Sequence, residues 1–92
     1  MNKLEEARLE INRVDREIAR LFQERMKAVE SVIEYKIENN LEILDSGREK
    51  EVIEKNIALL EEKKYEKYYL DFITNMMRIS KEYQREILNK SK

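Results

Sequence analysis

Residues 4–32 read LEEARLEINRVDREIARLFQERMKAVESV. Apolar residues recur along this stretch at alternating steps of three and four: Leu4, Ala7, Ile11, Val14, Ile18, Leu21, then Ala28 and Val32. That period is the seam of a long packed helix. One position breaks it, because the place between Leu21 and Ala28 is held by Arg25. Taking a guanidinium out of water costs about several kcal/mol unless something negative meets it. No acidic residue in the seam of this helix does so. The expected counter-charge is therefore an anion that is not part of the helix.

Working outward, the first helix is expected over residues 2–39, with Asn39-Asn40 as its stop. Such a length is unusual for a globular domain and predicts that the helix is shared with a second chain. A short connection from Leu41 to Asp45 follows. The second helix is expected over 46–63. Ser46-Gly47-Arg48-Glu49 has the capping-box spacing, and Asp45 is a competing N-cap. Val52, Ile53, Ile57 and Leu60 form its apolar face, and it fades at Lys63-Lys64. The third helix is expected over 66–89, with a stripe of Tyr69, Phe72, Ile73, Met76, Met77, Tyr83 and Ile87. Ser80 falls on that stripe, and Gln84 lies one turn beyond it on the same side. The prediction is an all-α, three-helix single domain over residues 1–92, with its long first helix shared with a second chain.

Composition agrees with this and excludes several chemistries. The chain has 92 residues, one glycine and no proline, so helix breakers are almost absent. A domain this short has a modest core and gains from pairing with another copy. Charged residues make up 42% of the chain, yet the net charge is -1. That balance argues against a nucleic-acid partner held by bulk charge. There is no Cys and no His, which removes disulfides, thiol chemistry, nucleophile–His dyads and the commonest transition-metal ligands. No metal site is expected. The start, MNKLEEARLE, lacks the apolar core of a signal peptide, and no apolar run approaches the roughly 18 residues of a membrane span. The expectation is a soluble, cytoplasmic protein.

Several polar residues stand in or beside apolar positions. Arg25 and Lys36 are 11 residues apart. At about 100° per residue they return to nearly the same face, roughly 16 Å apart along the axis, within reach of one small anion. Arg8 and Lys36 both flank the seam, and on one straight helix they would lie about 42 Å apart. Arg8 can join the Arg25–Lys36 site only if a second chain brings it, as antiparallel pairing of two first helices about a twofold axis would do. Each residue taken alone has an ordinary role. Arg25 can pack its stem and keep its head in water, Lys36 suits a helix C-terminus, and Ser80 can bond back to a carbonyl one turn earlier. Arg8 and Gln84 can be surface residues, and Asp45 and Glu49 caps. The coincidence of several such exceptions, mostly cationic, on helices that must pack together points to a site.

The whole set resembles the all-helical class of chorismate mutases, across nearly the full chain. That family's first helix carries an Arg near its start, then an apolar residue and an Asp, here Arg8, Ile11 and Asp15. It carries an Arg in an E-R segment, here Glu24-Arg25, and a Lys eleven residues on, here Lys36. The connection and second helix carry D-x-x-R-E, here Asp45-Ser46-Gly47-Arg48-Glu49. The third helix ends in S-x-x-x-Q, here Ser80-Lys81-Glu82-Tyr83-Gln84. Ser46-Gly47 departs locally from the family, whose members have bulkier or charged residues there. The Gly is expected to make the start of the second helix more mobile.

The resemblance implies conversion of chorismate to prephenate, in the biosynthesis of phenylalanine and tyrosine, with no cofactor. It implies an intertwined helical homodimer with two equivalent sites, each completed by Arg8 of the other chain. Arg25 and that Arg8 would grip the two substrate carboxylates, and Ser80 would add a hydrogen bond. Lys36 and Gln84 would donate to the ether oxygen. Glu49 would accept from the ring hydroxyl beside the Asp45 backbone, and Arg48 would orient that end. Two rivals remain open. Isochorismate–pyruvate lyases are similar and use comparable Arg and Lys residues, although the full D-x-x-R-E motif favours the mutase. A helical dimerisation module without catalysis would tolerate substitution along its seam.

Overall fold

The computed structural model describes residues 1–92. Three α-helices account for the fold: α1 over Lys3–Glu38, α2 over Ser46–Ala58 and α3 over Glu66–Lys90. The side chain of Asn2 caps α1 by accepting from the Glu5 amide at 2.9 Å. Glu5 and Glu6 in the first turn and Lys36 in the last complement the helix dipole. Asn39 closes the helix, and Asn40 reverses the chain with φ of 54°, a left-handed conformation that asparagine tolerates.

Asp45 settles the competition at the start of α2. It is the N-cap, its Oδ1 accepting from the Arg48 amide at 3.0 Å. Ser46 is thus the first residue inside the helix. Gly47 follows with no positive φ, and a Cβ there would meet only Asp45 Oδ1 at an ordinary 3.6 Å. The backbone makes no demand for glycine at this position.

The second helix is shorter than the 46–63 expected from sequence. It ends at Ala58, where the Leu59 and Leu60 amides turn back to the Asn56 and Ile57 carbonyls in tighter three-residue bonds. A single 3-10 turn over Lys63–Tyr65 then leads into α3. No breaker lies between Ala58 and Lys64. The helix stops because the chain must reverse to lay α3 back along α2.

Side-chain pairs give the helix directions. Arg25 meets Ser80 and Glu30 meets Tyr83, so α3 runs the same way as α1. Tyr69 meets Asn56 and Lys81 meets Glu49, so α2 runs antiparallel to α3. The Tyr83 hydroxyl donates to Glu30 Oε2 at 2.6 Å. That bond, followed by desolvation and the carboxylate's charge, raises the phenol's pKa.

Only six side chains are buried: Val29, Ile33, Ile73, Met77, Ser80 and Gln84. All lie on α1 and α3, none on α2, and two of them are polar. Every residue from Met1 to Glu24 is exposed. The free half of α1 therefore carries its apolar seam, Leu4, Ile11, Val14, Ile18 and Leu21, into open space along a molecule 55 Å long. Phe72 departs from the expected buried stripe. It is 48% exposed, stacked on Tyr69 and turned toward that same open region. No helix is long and apolar enough to cross a membrane.

Candidate active site

A cavity of about 180 Å³ opens at the convergence of the three helices. α1 lines it with Arg25, Val29, Val32 and Lys36, whose four-three-four spacing keeps them on one face. Ile43 comes from the connection. Asp45, Arg48, Glu49 and Val52 come from the first turns of α2, and Met77, Ser80, Lys81 and Gln84 from α3. The apolar members form a wall beside the charged ones, as in a pocket for a small molecule with both an apolar body and charged ends.

Arg25 donates a short hydrogen bond from Nη1 to Ser80 Oγ. Ser80 in turn donates to the Met76 carbonyl at 2.9 Å. The hydroxyl thus makes the back-bond expected of a serine on a helix and also holds the guanidinium. No carboxylate pairs with Arg25. Burial, and then the positive charge of Arg48, lower its pKa below the usual arginine value. Arginine does not lose its proton in proteins, so this shift marks positive charge that the fold leaves uncompensated.

Lys36 is half-buried, and its Nζ donates to the Ile43 carbonyl at 2.7 Å. It has no carboxylate partner either. Arg48 reaches Glu51 Oε1 at 2.8 Å on the exposed side of α2. Asp45 is occupied as the N-cap. Glu49 forms an ion pair with Lys81 at 2.9 Å.

Gln84 is buried, and its Oε1 has no hydrogen-bond partner. Leaving a buried polar atom unsatisfied costs about 1–3 kcal/mol. A side-chain amide presents an acceptor or, after a flip, two donors. Gln84 can therefore offer the cavity whichever end a ligand requires.

Seven of the eight residues expected from sequence line this cavity: Arg25, Lys36, Asp45, Arg48, Glu49, Ser80 and Gln84. Arg8 does not. It lies on the exposed half of α1, 17 residues before Arg25 on the same helix, about 26 Å away by helical rise. Lys81 was not among the residues singled out. It stands four residues after Met77 and three before Gln84, but only the packing of α2 against α3 brings it to Glu49 and the cavity.

The lining carries four cations, Arg25, Lys36, Arg48 and Lys81, against two carboxylates, Asp45 and Glu49, a net charge of +2. It offers no thiol or imidazole. Such an arrangement can bind and orient an anion and stabilise charge that grows on it. A second, apolar cavity of about 330 Å³ lies on the other side of Arg25, between Ile18, Leu21 and Phe22 of α1 and Phe72, Met76 and Ile79 of α3. Arg25 borders both.

The chain matches the family model described as Chorismate mutase type II over residues 7–85. It is 44% identical over 62 residues to the bifunctional chorismate mutase/prephenate dehydratase of Aquifex aeolicus (strain VF5). The matched segment is 67% of this chain and 17% of that relative, so the chain spans about a sixth of the relative's length. No solved structure matches it significantly. Three helices without strands, the match over residues 7–85 and the relative together place the chain: it belongs to the type II chorismate mutase family.

Proposed function

We propose that this chain is a chorismate mutase, converting chorismate to prephenate on the route to phenylalanine and tyrosine. The observation that carries the reading is the charge of the cavity. It has a net +2 lining, with Arg25 unpaired at its wall and Gln84 unsatisfied beside it. Chorismate is a dianion with an apolar ring, and its rearrangement is concerted. One carbon–oxygen bond breaks as one carbon–carbon bond forms, and no proton leaves. Catalysis then consists of holding the compact conformer and stabilising charge on the ether oxygen, which asks for fixed donors and not for a nucleophile.

The roles follow from family membership and fit the geometry. Arg25, steadied by Ser80, grips one carboxylate with its planar fork. Lys36 and the Gln84 amide donate to the ether oxygen. Glu49 accepts from the ring hydroxyl beside the Asp45 backbone, and Arg48 turns from Glu51 to orient that end. The second carboxylate needs another cation, and Arg8 of the partner subunit supplies it. The exposed seam from Leu4 to Leu21 and the apolar cavity around Phe22 and Phe72 support such a partner. A contiguous apolar surface of this kind marks an interface.

Gln84→Glu gives this assignment a pH signature. A protonated acid can donate to the ether oxygen, whereas a carboxylate repels the charge growing there. Activity of the variant is expected to rise as pH falls through the introduced carboxyl's pKa, which burial raises. A profile superimposable on wild type removes Gln84 from the reacting atoms. The function itself is tested by incubating the protein with chorismate and isochorismate side by side and identifying products. Prephenate from chorismate is expected. Salicylate and pyruvate from isochorismate, with chorismate untouched, would make it a lyase, and inertness toward both would leave a dimerisation module.

A further inference from the structure

The chain forms nine ion pairs, and eight join residues within four positions of each other on exposed surface. Pairs of that kind contribute little. The ninth, Lys81 Nζ to Glu49 Oε2 at 2.9 Å, is different in three respects. It connects two helices, α3 to the first turns of α2. Both side chains are sheltered, at 25% and 28% exposure. Both also line the cationic cavity.

We propose that Lys81 is a positioning residue for the reaction, acting through Glu49. This rests on the reading of the cavity as a chorismate site. A dianion must enter a cavity that already contains a carboxylate, and an unpaired Glu49 would repel it. Lys81 cancels that charge. Its contact falls on Oε2, and a carboxylate has further lone pairs with which to accept a hydrogen bond from a neutral group such as a ring hydroxyl. The pair thereby makes an acid acceptable in an anion site and holds its carboxylate at the cavity wall.

The repulsion acts on ground state and transition state alike, since both carry the two carboxylates. Losing Lys81 should therefore raise KM and leave kcat nearly unchanged. Lys81→Met keeps the stem and removes the charge. It is expected to raise KM about 5- to 150-fold, the range for leaving one sheltered charged group without its partner. Added salt should narrow the gap in KM between this variant and wild type, because it screens the repulsion from Glu49 and the attraction of Lys81 alike. Lys81→Arg should restore a low KM. Removing the orphaned charge should also help, so the double variant Lys81→Met/Glu49→Gln is expected to have a lower KM than Lys81→Met alone.

The experiment is steady-state kinetics on chorismate for wild type, these variants and Glu49→Gln, with melting temperatures alongside. A KM within twofold of wild type in Lys81→Met overturns the proposal. So does a fall in kcat and melting temperature together that Glu49→Gln fails to suppress, which would make the pair a structural latch. Failure of wild type to turn over chorismate would instead defeat the reading of the site, and the proposal with it.

Discussion

Lys36→Ala is expected to lower kcat roughly a hundredfold to a thousandfold, about 2.7–4 kcal/mol of transition-state stabilisation, while the protein stays folded. The size follows from where the charge is placed. Lys36 sits in the last turn of α1, half-buried, with no carboxylate to neutralise it and only the Ile43 carbonyl at 2.7 Å as partner. A neutral carbonyl is given up readily for an oxygen that becomes anionic. The ether oxygen gains charge only as the bond breaks, so the interaction is stronger in the transition state than in the bound substrate. The loss should therefore fall on kcat more than on KM. Folding should survive because the buried core is Val29, Ile33, Ile73 and Met77, none of which depends on the ammonium. Steady-state kinetics with circular dichroism check both halves, and a variant with near wild-type kcat would take Lys36 out of the reaction.

Arg25→Leu is expected to move stability and activity in opposite directions. Arg25 breaks an otherwise apolar seam, is partly desolvated and has no counter-charge in the chain. Leu in its place would continue the wall formed by Ile18, Leu21, Phe22, Phe72, Met76 and Ile79. Exchanging a poorly compensated charge for an apolar side chain of similar reach is expected to stabilise by about 1 kcal/mol or more. That corresponds to a melting temperature higher by roughly 4–8 °C for each kcal/mol. The same change would remove the fork proposed to hold a substrate carboxylate. Breaking such a pair costs about 3–5 kcal/mol, or roughly a hundredfold to several thousandfold in kcat/KM. A simple dimerisation module would gain the stability and lose nothing. Retention of activity within tenfold of wild type would mean that Arg25 holds no ligand.

Much of this was legible in the sequence because it depends on helical period alone. The seam from Leu4 to Val32 announces α1, and the break at Arg25 announces a charge in need of a partner. The face shared by Arg25 and Lys36, and that shared by Ser80 and Gln84, require only about 100° of rotation per residue. What escaped depends on how helices meet. Leu59 to Lys64 contains no breaker, so nothing local marks the end of α2 at Ala58. The reversal toward α3 is a tertiary requirement. Lys81 reads as an ordinary surface lysine until α2 brings Glu49 against it. Phe72 has the spacing of a core residue, yet a single chain provides nothing to cover it. Asp45 and Ser46 compete as caps on equal terms in sequence, and the hydrogen bond from the Arg48 amide decides for Asp45.

We propose that the missing counter-charge of Arg25 is a substrate dianion, held in a cavity that a second chain completes. Arg8→Ala and Lys36→Ala subunits, co-refolded at equal amounts and assayed for prephenate formation, should then complement each other. Random pairing makes half of the dimers mixed, and each mixed dimer has one site with both residues intact. Activity of about one quarter of wild type is expected from two nearly inactive parents. A mixture that contains verified mixed dimers and yet stays at the level of its parents would mean that Arg8 of a second chain does not complete the site.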